Sequence, residues 1–254
     1  MVFKNRDDYL TARLQSGNLS EGKLEEIFCI LDRTPEPTKT VLSYIGDIAA
    51  SFILYGLDKQ QVIFGGYATL SQLVSRFGDA VVPVWRGSDD IDMGGSVDVL
   101  NALRSTYNIT NDRVSPNLED KITLKLKPKG NLNTPECKID YLLNAGNKLL
   151  NDGVETVYVL GIPVQVATPL VLIRSKLELA EKEEIHLLDI FHMIGVLEYR
   201  TVEPLVFAEG LGRVQKAKLY QLIKKQDETR NSGRIELGPS NSYAKKLKEV
   251  LKRS

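Results

Sequence analysis

Residues 62–93 read VIFGGYATLSQLVSRFGDAVVPVWRGSDDIDM. The apolar run QQVIF stops at Gly65 and Gly66, and the following ATLSQLVSRF places Leu70, Leu73, Val74 and Phe77 at helical spacing. This pattern predicts a strand, a glycine pair and a helix. Glycines let the backbone approach a ligand without Cβ atoms, and the first amides of a helix point outward as donors for a phosphate. Alone, such a junction is an ordinary tight turn. After the loop GDAVVPVWRGS, the segment DDIDM predicts a short strand. Its alternation puts Asp90 and Asp92 on one face and Ile91 and Met93 on the other. Two carboxylates held that way repel unless a cation lies between them. Oxygen-only ligation suits Mg²⁺ or Mn²⁺, which take carboxylates and substrate phosphates together.

Three more extended segments lie further along: KITLKLKP, CKIDYLL, and the pair VETVYVL/IPVQVA joined around Gly161. In KITLKLKP, Ile122, Leu124 and Leu126 alternate with Thr123, Lys125 and Lys127, as in a half-buried strand. CKIDYLL carries a lone acid, Asp140, among Ile139, Tyr141, Leu142 and Leu143. An ionised carboxylate in an apolar strand is costly unless paired or metal-bound. If that strand lies beside DDIDM, three carboxylates converge.

SVDVLNALRSTYN predicts a helix. Upstream, SEGKLEEIFCILDR and TKTVLSYIGDIAASFILYGL predict two amphipathic helices separated by the breaker PEP at 35–37. Downstream, Thr168 and Pro169 suit the N-cap and first turn of a helix through LVLIRSKLELAEK. Another helix follows around IHLLDIFHMIGVLEYR, and the last fifty residues read as helical and basic, interrupted by RNSGRIELGPSNS. Strands mixed with helices, then helices only, predict an α+β fold. The expected parts are an N-terminal helical segment at 1–59, an α/β core at 60–167, and a helical region with a basic end at 168–254.

The chain has 254 residues and a formal net charge of zero, unevenly spread. From Leu211 to Ser254 there are 12 Lys and Arg against 4 Asp and Glu, so this end carries +8. Such a segment suits a polyanionic partner; a solvated helical face explains it equally well. Cys29 and Cys137 are far apart and form no zinc pattern. The two histidines, His186 and His192, read as surface or packing residues. Chemistry would therefore rest on carboxylates, Lys and Arg. No stretch reaches the apolar length of a bilayer span, and the N-terminus has no secretory apolar region, so a soluble, cytoplasmic protein with no membrane partner is expected.

The run GGYATL…WRGSDDIDM closely resembles the nucleotidyltransferase superfamily that includes DNA polymerase β. More narrowly, it resembles the AbiEii-type nucleotidyltransferase toxins of toxin–antitoxin and abortive-infection systems. The matching residues are Gly65, Gly66, Ala68, Leu70, Arg86, Ser88, Asp90, Ile91 and Asp92. The long gap between the glycines and the D-x-D favours the AbiEii-like branch. Tyr67 stands where a small hydroxyl residue is usual.

The resemblance implies a polymerase β-like core with a mixed sheet. It implies that Gly65 and Gly66 hold nucleotide phosphates, that Asp90 and Asp92 bind metal, and that Asp140 is the third acid. It further implies that Ser88 contacts a phosphate and that Arg86 orients the loop. On the later helices, Lys176 would reach the triphosphate, and Asp189 matches the second acid of a K/R-D-x-x-D motif, with His186 standing where the first Asp is often found. The implied reaction moves a nucleoside monophosphate from an NTP to a hydroxyl acceptor, with Mg²⁺ or Mn²⁺. The implied acceptors are tRNA 3′ ends or protein hydroxyls, the basic end favours RNA, and an antitoxin protein is an implied partner. Alternatives are a small-molecule nucleotidyltransferase and an inactive nucleotide-binding module. A nucleotide dehydrogenase is disfavoured, because no G-x-G-x-x-G follows a strand.

Overall fold

The segments DDIDM and CKIDYLL become neighbouring strands near the middle of a seven-stranded sheet. The structure is a computed structural model and describes residues 21–115, 118–129, 135–143, 153–177, 179–180, 184–229 and 238–253. The chain divides into two compact units, Met1–Ala167 and Thr168–Ser254.

In the first unit, strand β1 (Gln61–Phe64) runs antiparallel to β2 (Asp90–Gly95). Strand β3 (Tyr107–Ser115) pairs antiparallel with β4 (Leu118–Pro128), and β4 pairs antiparallel with β5 (Cys137–Leu142). β5 lies parallel to β2. On the other side, β7 (Ile162–Ala167) runs parallel to β1 and antiparallel to β6 (Val154–Val159). The order is β3-β4-β5-β2-β1-β7-β6, a mixed sheet. With its flanking helices it makes the unit α+β.

The helices follow from their punctuation. α1 (Glu21–Arg33) ends just before Pro35, and α2 (Thr38–Tyr55) begins just after Pro37. α3 (Gly65–Phe77) begins at the glycine pair itself. Its fully buried Gln72 donates to Glu155 Oε1 at 2.7 Å and to the Ala167 carbonyl at 3.0 Å, tying the helix to β6 and β7. The loop GDAVVPVWRGS contains a 3₁₀ turn over Asp79–Val84.

One expected helix is shorter than its pattern suggested. α4 runs Val97–Thr106, capped by Ser96 Oγ, which accepts from the Val99 amide at 3.3 Å. The chain then turns at Tyr107 into β3, a strand the sequence pattern did not announce. Tyr107 is buried, and its hydroxyl donates to Asp47 on α2 at 2.5 Å. This anchor and the long pairing with β4 override the helical spacing around it.

The second unit contains α5 (Pro169–Leu177), α6 (Glu184–Tyr199), α7 (Pro204–Glu209), α8 (Arg213–Thr229) and α9 (Asn241–Arg253). The helix read through LVLIRSKLELAEK ends at Leu177. α6 is apolar nearly all round, and Ile190, Phe191, Met193, Ile194 and Val196 are fully or almost fully buried. α9 is amphipathic: Tyr243, Ala244, Leu247 and Leu251 are buried, while Lys245, Lys246, Lys252 and Arg253 are exposed. The first twenty residues of the expected N-terminal segment, and 230–237 within the interrupting loop, lie outside the described residues. No helix among the described residues is long and apolar enough to cross a membrane.

Candidate catalytic site

Alternation on β2 and β5 sorts side chains cleanly between the two sheet faces. Ile91, Met93, Ile139 and Tyr141 are fully buried on one face. Asp90, Asp92, Lys138 and Asp140 fall on the other. The parallel register sets Asp90 opposite Lys138 and Asp92 opposite Asp140. On the far side of β5, β4 sets Thr123 opposite Asp140. The three acids read from the sequence therefore share one face of adjacent central strands.

Asp140 is the most enclosed of the three, with a side chain only 9% exposed. Its Oδ1 accepts from Thr123 Oγ1 at 2.7 Å. Its Oδ2 meets Lys121 Nζ at 2.9 Å and Lys138 Nζ at 3.1 Å. Burial works to raise its pKa, but the hydrogen bonds from Thr123, Lys121 and Lys138 outweigh it and hold the carboxyl below the usual range. The Lys138 ammonium also lies 2.9 Å from Asp90 Oδ2, so it bridges two acids. Burial works to lower the Lys138 pKa, yet the two carboxylates carry it above its usual value.

The glycine pair meets these acids directly. Gly65 has φ +66°, and a Cβ built there would stand 1.8 Å from Asp92 Oδ2. Only glycine fits on both counts. A Cβ on Gly66 would lie 3.3 Å from an Arg86 guanidinium nitrogen and 3.3 Å from Ser88 Cβ. Ser88 Oγ donates to Asp90 Oδ1 at 3.1 Å. The Arg86 guanidinium donates to the Gly87 carbonyl at 2.8 Å and stands 5.0 Å from the Trp85 ring centroid, which fits an orienting part for this loop. Gly65, Gly66, Arg86, Ser88, Asp90, Asp92 and Asp140 thus come together in the first unit. Phe64 provides no side-chain cap at the start of α3. The first amides and the positive end of the helix dipole lie beside this cluster, an arrangement that favours phosphate.

Tyr67 has a structural reason for departing from the small hydroxyl residue. Its buried ring packs against Trp85 at a centroid distance of 5.2 Å, and its hydroxyl donates to the Ser88 carbonyl at 2.8 Å. It pins the returning loop to α3, which sets where Ser88 and Arg86 stand.

Lys176 and Asp189 are placed by themselves in the second unit. Lys176 Nζ donates to Asp189 Oδ2 at 2.7 Å, and both side chains are buried, 5% and 0% exposed. Lys176 is therefore no solvated helix lysine. His192 is buried on α6 and His186 is half-buried.

Sequence reasoning missed Lys138, Lys121 and Thr123. The position of Lys138 was readable, since a residue two before Asp140 on a strand must share its face. Lys121 and Thr123 depend on the β4–β5 register, which no local pattern fixes.

Among the described residues, no group of three or more Asp, Glu, His or Cys side chains is placed to hold a metal ion. In chemical type the donors are those a hard divalent cation takes, three carboxylates offering oxygen only, and in this arrangement the Lys138 ammonium lies between two of them.

No protein-family model matches the chain, and no curated protein matches it. Solved structures do. JHP933 from Helicobacter pylori is 13% identical over 93% of both chains, with a TM-score of 0.43. An antigenic nucleotidyltransferase-like protein from Paracoccidioides brasiliensis is 17% identical, covering 76% of this chain and 93% of that one, with a TM-score of 0.46. The Megavirus polyadenylate synthase is 16% identical over 79% of this chain and 36% of its own, with a TM-score of 0.40. At these identities and TM-scores the likeness carries no argument about fold, substrate or reaction.

Proposed function

We propose that the protein is a metal-dependent nucleotidyltransferase that moves a nucleoside monophosphate from an NTP to a hydroxyl of an RNA acceptor, such as a tRNA 3′ end. The observation that carries this reading is the meeting of Asp90, Asp92 and Asp140 beside Gly65 and Gly66. When bound, Mg²⁺ or Mn²⁺ supplies Lewis-acid stabilisation of charge on the phosphate oxygens. Asp90 and Asp92 would hold the cation, and Asp140 would complete the set. The amides that follow Gly65 take phosphate oxygens, and Ser88 Oγ becomes a further donor by turning its hydroxyl from Asp90.

The acceptor oxygen attacks the α-phosphorus, the bond to the β-bridging oxygen breaks, and pyrophosphate leaves with the electron pair. The hydroxyl proton passes to water. For Lys176 and Asp189 the family resemblance implies a part in the same reaction. It also implies a toxin role with a cognate antitoxin. The basic end supports RNA over a protein or small-molecule acceptor.

The test is to incubate purified protein with each labelled NTP, Mg²⁺ and total tRNA, with protein and aminoglycoside acceptors in parallel. Label should appear on tRNA and disappear with Asp92→Ala, which should remain folded by circular dichroism because it relieves like-charge repulsion. Transfer by that variant at the parent rate would remove Asp92 from the site. Label on another acceptor would move the substrate class, and none on any acceptor would favour an inactive nucleotide-binding module.

A further inference from the structure

Lys138 is a part of this site that no family motif supplies. It sits on β5 directly opposite Asp90, and its ammonium lies 2.9 Å from Asp90 Oδ2 and 3.1 Å from Asp140 Oδ2. Asp140 Oδ2 also meets Lys121 Nζ, and its Oδ1 is taken by Thr123. A divalent ion binding Asp90 and Asp140 needs oxygens that the ammonium now holds. Two cations cannot share them without strong repulsion.

Lysine suits a temporary occupant, being a compact point charge on a flexible four-carbon stem. Its side chain is 40% exposed, so the head has a way out to water while the stem stays on the sheet.

We propose that Lys138 is a built-in counter-cation: it keeps Asp90 and Asp140 assembled in the metal-free protein and must be displaced when a divalent ion enters. This rests on the metal-site reading above. Lys138 is then a positioning residue that sets the affinity of the site for metal and keeps the acids from splaying apart between loadings. The lysine costs metal affinity and preserves geometry.

Calorimetric titration of the full-length protein with MnCl₂, without nucleotide, reads this directly. Lys138→Met keeps the apolar stem and removes the charge. It should bind Mn²⁺ about tenfold tighter than the parent, because the entering ion no longer has to displace a charge-assisted hydrogen bond. Lys138→Gln should tighten binding in the same direction and serves if the Met variant folds poorly. Lys138→Arg should restore weak binding. Lys125→Met, which removes a charge from the facing position on β4, should change affinity by less than about twofold, separating displacement from general electrostatics. Parent-like or weaker Mn²⁺ binding by both the Met and Gln variants overturns the role of Lys138. If the parent still binds Mn²⁺ and Asp92→Ala does not, the metal site survives that failure. No Mn²⁺ binding by the parent or by either Lys138 variant sinks both readings.

Discussion

Gly65 sits at φ +66°, and Asp92 Oδ2 occupies the space a side chain would need, 1.8 Å from an ideal Cβ. Alanine there meets a backbone penalty of about 1–2 kcal/mol and must also push the carboxylate away. Gly65→Ala should therefore lower stability in urea and, in the fraction that remains folded, weaken Mn²⁺ binding. Parent-like values in both measurements would show that Asp92 has room to move. Gly66 is less constrained, because a methyl group there would find its nearest neighbours at 3.3 Å, and both belong to side chains able to give slightly. At this scale the sequence was informative wherever a single strand decides the outcome. Asp90 and Asp92 share a face because alternation allows nothing else. The Tyr67 hydroxyl meeting the Ser88 carbonyl was hidden, because the two lie 21 residues apart and the chain must fold back before they touch.

Single elements were legible when their punctuation was local. PEP ended one helix and opened the next, and the glycine pair opened α3. β3 was not legible, since YNITNDRVS has little apolar alternation and is held by β4 and by Tyr107 on Asp47. Between α5 and α6, the Lys176–Asp189 pair shows how a helix-borne charge changes meaning once it is buried. Removing the lysine strips the buried Asp189 carboxylate of a charge-assisted hydrogen bond, so Lys176→Met should lower stability in denaturant unfolding by about 1.5–3 kcal/mol. The double change Lys176→Met with Asp189→Leu should recover most of that loss. Parent-like stability of the single variant would contradict the burial of the pair. NTP affinity of the folded double variant reads any triphosphate role separately from folding.

For the whole molecule, charge distribution supplies the main expectation about the acceptor. The segment from Leu211 carries +8, and Lys224, Lys225, Lys245 and Lys246 are exposed on α8 and α9. Exposed lysines away from packed features contribute under about 0.5 kcal/mol to stability. Neutralising these four should therefore leave folding and Mn²⁺ affinity nearly intact. RNA affinity should fall, and the slope of its salt dependence should flatten by roughly one unit for each phosphate released from its lysine. An unchanged slope in a filter-binding titration would move the acceptor away from this surface. The strand order was the least legible feature at this scale, because parallel pairing of β2 with β5 needs a long crossover that leaves no trace in either strand.

That order has a consequence for how the protein can diverge. β5, β2 and β1 are the middle three of seven strands, and β3 and β6 are the edges. Insertions, truncations or altered loops at either edge can accumulate through descent without shifting a carboxylate. Lineages sharing this architecture are thus free to vary the periphery while the three acids stay in register.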